Sequence, residues 1–254
     1  MTTFISRETT KRLVTDVKQL IKNPLTDNGI YYIHDDTDIL KGRAMIIGTS
    51  DTPYFAGNYF FELTFPSNYP FSPPTVKYCT NGNNVRFHPN LYVSGKVCVS
   101  LLNTWSGEQW TSCQTISSIL LTLCSILTKD PLLNEPGVNK EHPDMDTYTN
   151  IIEFSNISTA ICDIVCKTPS VYNSFFDKFY PQVIDNFTKN YNEILGFVEN
   201  KIATTPPAKL KTHYYSMCVD INYNKLLIKL QTAYDEVHNN KVKKCSKEIS
   251  NLAL

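Results

Sequence analysis

Between residues 29 and 78 four short runs rich in β-branched and aromatic residues follow one another, at 30–33, 44–47, 59–65 and 75–78. Asn28-Gly29, Thr52-Pro53, Gly57-Asn58 and Ser67-Asn68 punctuate them as turn signals, so the pattern predicts an antiparallel meander. Pro70, Pro73 and Pro74 cannot donate to a sheet ladder. Residues 69–74 are therefore expected as a rigid surface corner, where an X-Pro bond is a candidate for the cis form.

Helical periodicity flanks these runs. Ser6 is placed to cap a first helix, with Glu8 in its first turn and Leu13, Val17, Leu20 and Ile21 on one face. Lys11, Arg12 and Lys18 occupy the other face. Downstream, Ile116, Ile119, Leu120, Leu123, Ile126 and Leu127 make the buried side of a central helix. One helix, four strands and a covering helix predict an α+β layer.

Two more amphipathic patterns come later, at Ile151, Phe154, Ser158, Ile161, Cys162 and Val165, and at Ile184, Phe187, Tyr191, Leu195 and Val198 after Pro181. Residues 201–212, with Thr204-Thr205-Pro206-Pro207, read as a linker. A last helix is signalled by Tyr223, Leu226, Leu227, Leu230, Tyr234 and Val237. Lys241, Lys243, Lys244 and Lys247 then make a basic tail. A chain of 254 residues accommodates one large domain or a domain with an extension.

Lys plus Arg equals Asp plus Glu at 24 each, so no overall field recruits nucleic acid or an acidic membrane. The first residues do not read as a secretory signal, and the apolar stretch 116–127 is too short to span a bilayer. A cytoplasmic or nuclear protein is expected. Eight cysteines are scattered without a Cys-x-x-Cys pair, which points to reduced thiols. Cys124, Cys162 and Cys166 sit among apolar residues, where a free Cys serves as a small hydrophobe. A metal pair from Cys162 and Cys166 is the weaker reading, and no metal is expected.

The chemistry concentrates in residues 87–100. His88-Pro89-Asn90 stands eight residues ahead of Cys98, with Ser94-Gly95 as a turn between them. Such a turn brings one thiol near one side-chain amide. A thiolate can carry an acyl group, and an amide N–H can donate to the oxyanion formed when that group is attacked.

This segment resembles the active site of ubiquitin-conjugating enzymes. The resemblance extends to Tyr69-Pro70-Phe71-Ser72-Pro73-Pro74, to Trp110 with the apolar run after it, and to 130–137, which looks like the loop closing the family's groove. The Trp105 to Trp110 loop, Asn134-Glu135-Pro136-Gly137 and the helical C-terminus with Cys162-Asp163 are most similar to the larger Z-type class. The implied architecture is a UBC-like fold with extension: a core at 1–155 and a helical C-terminal extension at 156–254, with a linker near 201–212.

The resemblance implies that Cys98 accepts ubiquitin from an activating enzyme as a thioester and passes it to a lysine or a ligase cysteine. It makes Asn90 the oxyanion donor; alternatively the Asn90 amide bonds to backbone and holds the Trp105 to Trp110 loop. His88 is structural, together with Pro89, Trp110 and Asn134 around the site. Glu135 matches the family's acidic gate, facing the incoming amine. Ser100 stands where many members carry Asp, which puts strong activation of free lysine in question and leaves transfer to a ligase cysteine open. Lys11 and Arg12 fall where the activating enzyme docks. Phe71, Ser112 and Cys113 fall in the ligase-docking loops, with Ser112-Cys113 in place of the common Pro-Ala. No cofactor is implied, since ATP is used by the upstream activating enzyme. A ubiquitin-like modifier, a noncatalytic ubiquitin-binding module and a cysteine hydrolase using Cys98 and His88 are the competing readings.

Overall fold

A computed structural model describes residues 5–82 and 84–252, except for the side chains of 240–252. The basic tail at Lys241, Lys243, Lys244 and Lys247 therefore has its side chains outside the described residues. Helix α1 (Arg7–Lys22) starts where Ser6 Oγ accepts from the Thr9 backbone N–H at 3.0 Å. Four strands follow: β1 (Ile30–His34), β2 (Lys41–Ile47), β3 (Asn58–Thr64) and β4 (Thr75–Tyr78). They pair in chain order and antiparallel, with Tyr32 opposite Ala44, Ala44 opposite Phe61 and Phe61 opposite Tyr78. The meander is as the turn signals require, and the Tyr69–Pro70 bond in the Pro corner is cis.

Side chains alternate across a strand, so neighbours on β2 and β3 serve opposite faces. Ala44, Ile46, Tyr59, Phe61 and Leu63 point to the face covered by α1 and by α2 (Ile116–Ser125), whose Ile116, Ile119, Leu120 and Leu123 are buried. Met45 and Phe60 point the other way, into a second cluster built by the C-terminal residues. Helices α1 and α2 and the sheet thus form the front two layers, and residues from 156 onward add a third against the back of the same sheet.

That third layer begins without a break. Helix α3 (Met145–Ser155) continues into a π-helical stretch at Asn156–Asp163, so residue 155 lies inside one helical segment. Asparagines fasten the stretch to the sheet. Asn156 accepts from the Tyr59 hydroxyl at 2.6 Å and donates to the Phe55 carbonyl at 2.9 Å. Asn58 donates to the Ala160 carbonyl at 3.0 Å. Gly57 makes this approach possible, since a Cβ there would stand 1.9 Å from Asn156 Oδ1. Helices α4 (Tyr180–Thr204) and α5 (Tyr223–Leu252) complete the layer, and Asn186 of α4 donates to the Ala56 carbonyl at 2.8 Å.

The reading of residues 201–212 as a linker is corrected. Residues 201–204 finish α4, and β5 (Ala208–Lys211) pairs antiparallel with β6 (Cys218–Ile221) in a separate two-stranded sheet. Pro206-Pro207 does stop the helix, but β5 carries one large apolar residue, Leu210, with the other three residues exposed, so no β-rich run announces it. Among the described residues no helix is long and apolar enough to cross a membrane.

Candidate active site

Gly95 makes the turn that the site depends on. Its φ of +91° is a left-handed conformation open to glycine, and an added Cβ would crowd the Tyr78 carbonyl at 3.0 Å. The Gly95 N–H donates to the Tyr92 carbonyl at 2.8 Å, and the Tyr92 N–H to the Lys96 carbonyl at 2.9 Å. Leu91 bridges to both His88 and Val97, so the chain folds back on itself. Asn90 and Cys98 then bond twice: Cys98 N–H donates to the Asn90 carbonyl at 2.9 Å, and Asn90 Nδ2 donates to the Cys98 carbonyl at 2.5 Å. Cys98 itself is 2% exposed.

The Asn90 amide is therefore a backbone anchor in this state, but not for the loop expected of it. That loop is closed by Asn103, whose Oδ1 accepts from the Trp110 N–H at 2.9 Å, while Trp110 Nε1 donates to the Pro70 carbonyl at 2.7 Å. Residues 103–109 are exposed between these ties. Gly107, at φ +126°, folds over Ser100, and a Cβ on it would meet Ser100 Cβ at 3.2 Å.

His88 is fully buried. Its Nδ1 accepts from the Asn90 N–H at 3.0 Å, so the proton of the neutral ring belongs on Nε2. Burial, reinforced by the nearby Arg86 charge, pushes its pKa down to about 3; the Ile126 backbone carbonyl opposes this, without hydrogen-bond geometry to Nε2. A ring held neutral, with its basic nitrogen occupied, shapes the strap instead of taking a proton from Cys98. Pro89 is buried beside it and its carbonyl accepts from the Arg86 guanidinium.

The closing loop turns as a short 3₁₀ helix at Pro131–Asn134, with Asn134 Nδ2 donating to the Pro131 carbonyl at 3.0 Å. Asp130 opens it half-buried, its carboxylate outside any side-chain hydrogen bond among the described residues. Glu135 closes it and accepts from the hydroxyl of Tyr215, a residue of the hairpin between β5 and β6. The ring of Tyr215 lies 4.3 Å from the Arg86 guanidinium, whose other side lies 3.5 Å from the Tyr92 ring. Neither Arg86 nor Tyr215 was marked by the sequence. Arg86 stands two residues before His88, which is a signal of place only, and Tyr215 lies 117 positions beyond Cys98 with no local motif.

The docking candidates divide. Phe71 is 67% exposed on the Pro corner, and Ser112, Cys113 and Lys11 are exposed. Arg12 is half-buried and its guanidinium is engaged within the chain: it donates to the Ser112 carbonyl at 2.6 Å and to the Gln114 carbonyl, and pairs with Asp16 at 2.9 Å. Buried Asp16 also accepts from the Tyr69 hydroxyl at 2.5 Å, so the Arg12–Asp16 pair joins α1 to both loops. Asp16→Ala is expected to lower unfolding free energy by about 2 kcal/mol, read from urea denaturation, since it orphans the buried Tyr69 hydroxyl and removes the carboxylate paired with half-buried Arg12. Among the described residues no cluster of three His, Cys, Asp or Glu side chains is placed to hold a metal ion.

A family model described as "Ubiquitin-conjugating enzyme" matches residues 12–155, more than half of the chain, including Asn90, Cys98 and Glu135. The chain belongs to the ubiquitin-conjugating enzyme family. Its similarity to "Ubiquitin-conjugating enzyme E2 Z" of Homo sapiens is 34% identity over 238 residues, covering 90% of this chain and 64% of that protein. The Danio rerio protein of the same name is 40% identical over 186 residues, covering 71% and 56%. The chain spans less than two thirds of the length of either. A solved structure of human "Ubiquitin-conjugating enzyme E2 G1" is 32% identical and covers 49% of this chain and 98% of its own, with a TM-score of 0.42. Membership gives the Asn90–Cys98 pair its context, and the similarity to E2 Z extends beyond the front layers into the C-terminal helices.

Proposed function

We propose that Cys98 accepts the carboxyl end of ubiquitin, or of a ubiquitin-like protein, from the thioester of an activating enzyme and passes it to a substrate lysine or a ligase cysteine. The observation that carries this reading is the Asn90–Cys98 pair, held by two hydrogen bonds across one tight turn. In the loading step the Cys98 sulfur attacks the incoming thioester carbonyl and the donor thiolate leaves. In the transfer step an amine or thiol attacks the new thioester and Cys98 leaves in turn.

Asn90 stabilises the negative oxygen in both steps. Its NH₂ has two hydrogens, and the Cys98 carbonyl uses one. Asn90→Ala is expected to slow single-turnover discharge of a loaded Cys98 by about 10²-fold. Discharge within twofold of wild type would leave Asn90 a purely structural anchor. Ser100 adds no carboxylate beside the thiol, so Glu135 is the residue that meets the amine. The neutral, hydrogen-bonded His88 argues against the cysteine hydrolase, which needs a free base at the sulfur.

Phe71, Ser112 and Cys113 form the ligase-facing surface, and Lys11 contributes to the activating-enzyme side. Arg12 supports that surface from within. No cofactor enters, because ATP is consumed by the upstream enzyme, and the setting is cytoplasmic or nuclear. Incubation of the protein with ubiquitin, activating enzyme and ATP should give a higher-mass band on a non-reducing gel that reductant removes. Failure to form it with ubiquitin and with ubiquitin-like proteins would overturn the reading.

A further inference from the structure

The hairpin between β5 and β6 belongs to the extension, yet its tip contacts both Glu135 of the closing loop and Arg86, two residues before His88. Tyr215 and Ser216 have φ of +60° and +49°, conformations that non-glycine residues adopt at a cost of about 1–3 kcal/mol each. Four contacts offset that cost. Thr212 N–H donates to the Met217 carbonyl at 3.1 Å and Thr212 Oγ1 to the Tyr214 carbonyl at 2.6 Å. Tyr214 N–H donates to buried Asp144 at 2.9 Å, and the Arg86 N–H meets Met217 Sδ at 3.3 Å.

The strained tip aims one side chain at two targets. The Tyr215 hydroxyl donates to the Glu135 carboxylate, and its ring covers the Arg86 guanidinium that binds the Pro89 carbonyl next to Asn90. Tyr148 closes the group, its ring 6.0 Å from that of Tyr215 and its hydroxyl donating to the Arg86 carbonyl at 2.7 Å. One tyrosine thus ties the closing loop to the His-Pro-Asn strap.

We propose that Tyr215 is a positioning residue for transfer to lysine, holding the Glu135 carboxylate where the attacking amine meets it. This rests on the reading of Cys98 as the acyl carrier. In the step served, the amine nitrogen bonds to the thioester carbonyl carbon and the C–S bond breaks, releasing the Cys98 thiolate. The proton lost by the nitrogen passes to Glu135 and then to water. A thiol acceptor that arrives as thiolate needs no such acceptor.

The test uses the full chain loaded with ubiquitin at Cys98 and chased with free lysine or free cysteine. Tyr215→Phe keeps the ring and removes only the donor. It should load normally and discharge to cysteine within about twofold of wild type. Discharge to lysine at pH 7 should fall about tenfold in kcat with little change in KM. The reference pKa of lysine is ~10.4, so the deficit should shrink toward pH 9.5 as solvent supplies free amine. Combined with Glu135→Gln, it should add nothing to the effect of Glu135→Gln alone. Equal slowing for both acceptors, a pH-independent deficit or multiplying effects would overturn the proposal by making Tyr215 a packing residue. A wild-type protein that never loads would overturn the underlying reading, and a loaded protein with an unaffected Tyr215→Phe would overturn this proposal alone.

Discussion

Cys98→Ala should abolish the reductant-labile ubiquitin adduct completely, while the protein keeps its unfolding temperature within a few degrees. The acyl group has only sulfur to reside on as a thioester, so the loss is absolute and not a slowed rate. Truncation to Ala removes one small buried side chain, and the Asn90–Cys98 hydrogen bonds are all made through the Cys98 backbone. The strap therefore survives the substitution. Seven other cysteines make the result informative. Cys113 and Cys218 are exposed and open to adventitious thioester exchange. Burial raises the pKa of the Cys79 thiol to about 12 and pushes that of Cys162 higher still, which removes them as nucleophiles at neutral pH. Cys98→Ser adds a second arm: any adduct it forms is an oxygen ester that reductant cannot cleave. A reductant-labile band persisting in Cys98→Ala would place the acyl group on another cysteine, with exposed Cys113 and Cys218 the first to test, and sink the assignment.

Phe60→Ala should cost about 3–5 kcal/mol, more than any other single truncation on the back of the sheet. Phe60 is 2% exposed on β3 and is stacked on Phe176 at 4.5 Å, with Phe179 at 6.2 Å and Tyr172 at 6.3 Å. All three partners belong to the extension, so the cavity opens at the seam between sheet and extension. Urea unfolding followed by tryptophan fluorescence and by circular dichroism should show one coincident transition, moved to lower urea with its slope preserved. Trp105 and Trp110 report the front of the molecule, and the dichroism is dominated by the long C-terminal helices. Separation of the two signals in the wild-type protein would mean that the extension unfolds as a unit of its own, against the continuous helix through residue 155.

Local signals made much of the front of the molecule legible. Ser6 announced the first cap, the four β-rich runs announced the strands in their pairing order, and the central helix followed from its apolar stripe. These rest on interactions within a few residues, which is the range that periodicity and turn chemistry report. The site was legible for the same reason: Asn90 and Cys98 are joined by one turn, and Gly95 is the residue that a turn with positive φ demands. Phe71 on a proline corner was equally readable as an exposed aromatic.

Contacts between distant segments were not legible. Arg12 offered itself as a free cation on a polar helix face, and tertiary folding engaged it with two carbonyls about one hundred residues away. The short strand β5 was hidden in a stretch whose prolines suggested a linker, and its partner β6 lay unmarked beyond it. The alternation in β2 and β3 said that both faces carry apolar residues, without saying what would cover the second.

The sequence by itself determined the meander, the capped first helix, the Asn90–Cys98 pairing and the chemistry that a thiol and an amide make possible there. Only the tertiary structure decided that the extension closes the back of the sheet and that its hairpin sends Tyr215 to Glu135. The reason is the range of the forces involved. A turn or a cap is settled by neighbours in the chain, whereas the Tyr215 hydroxyl finds a carboxylate 80 positions away only after the chain between them has been packed.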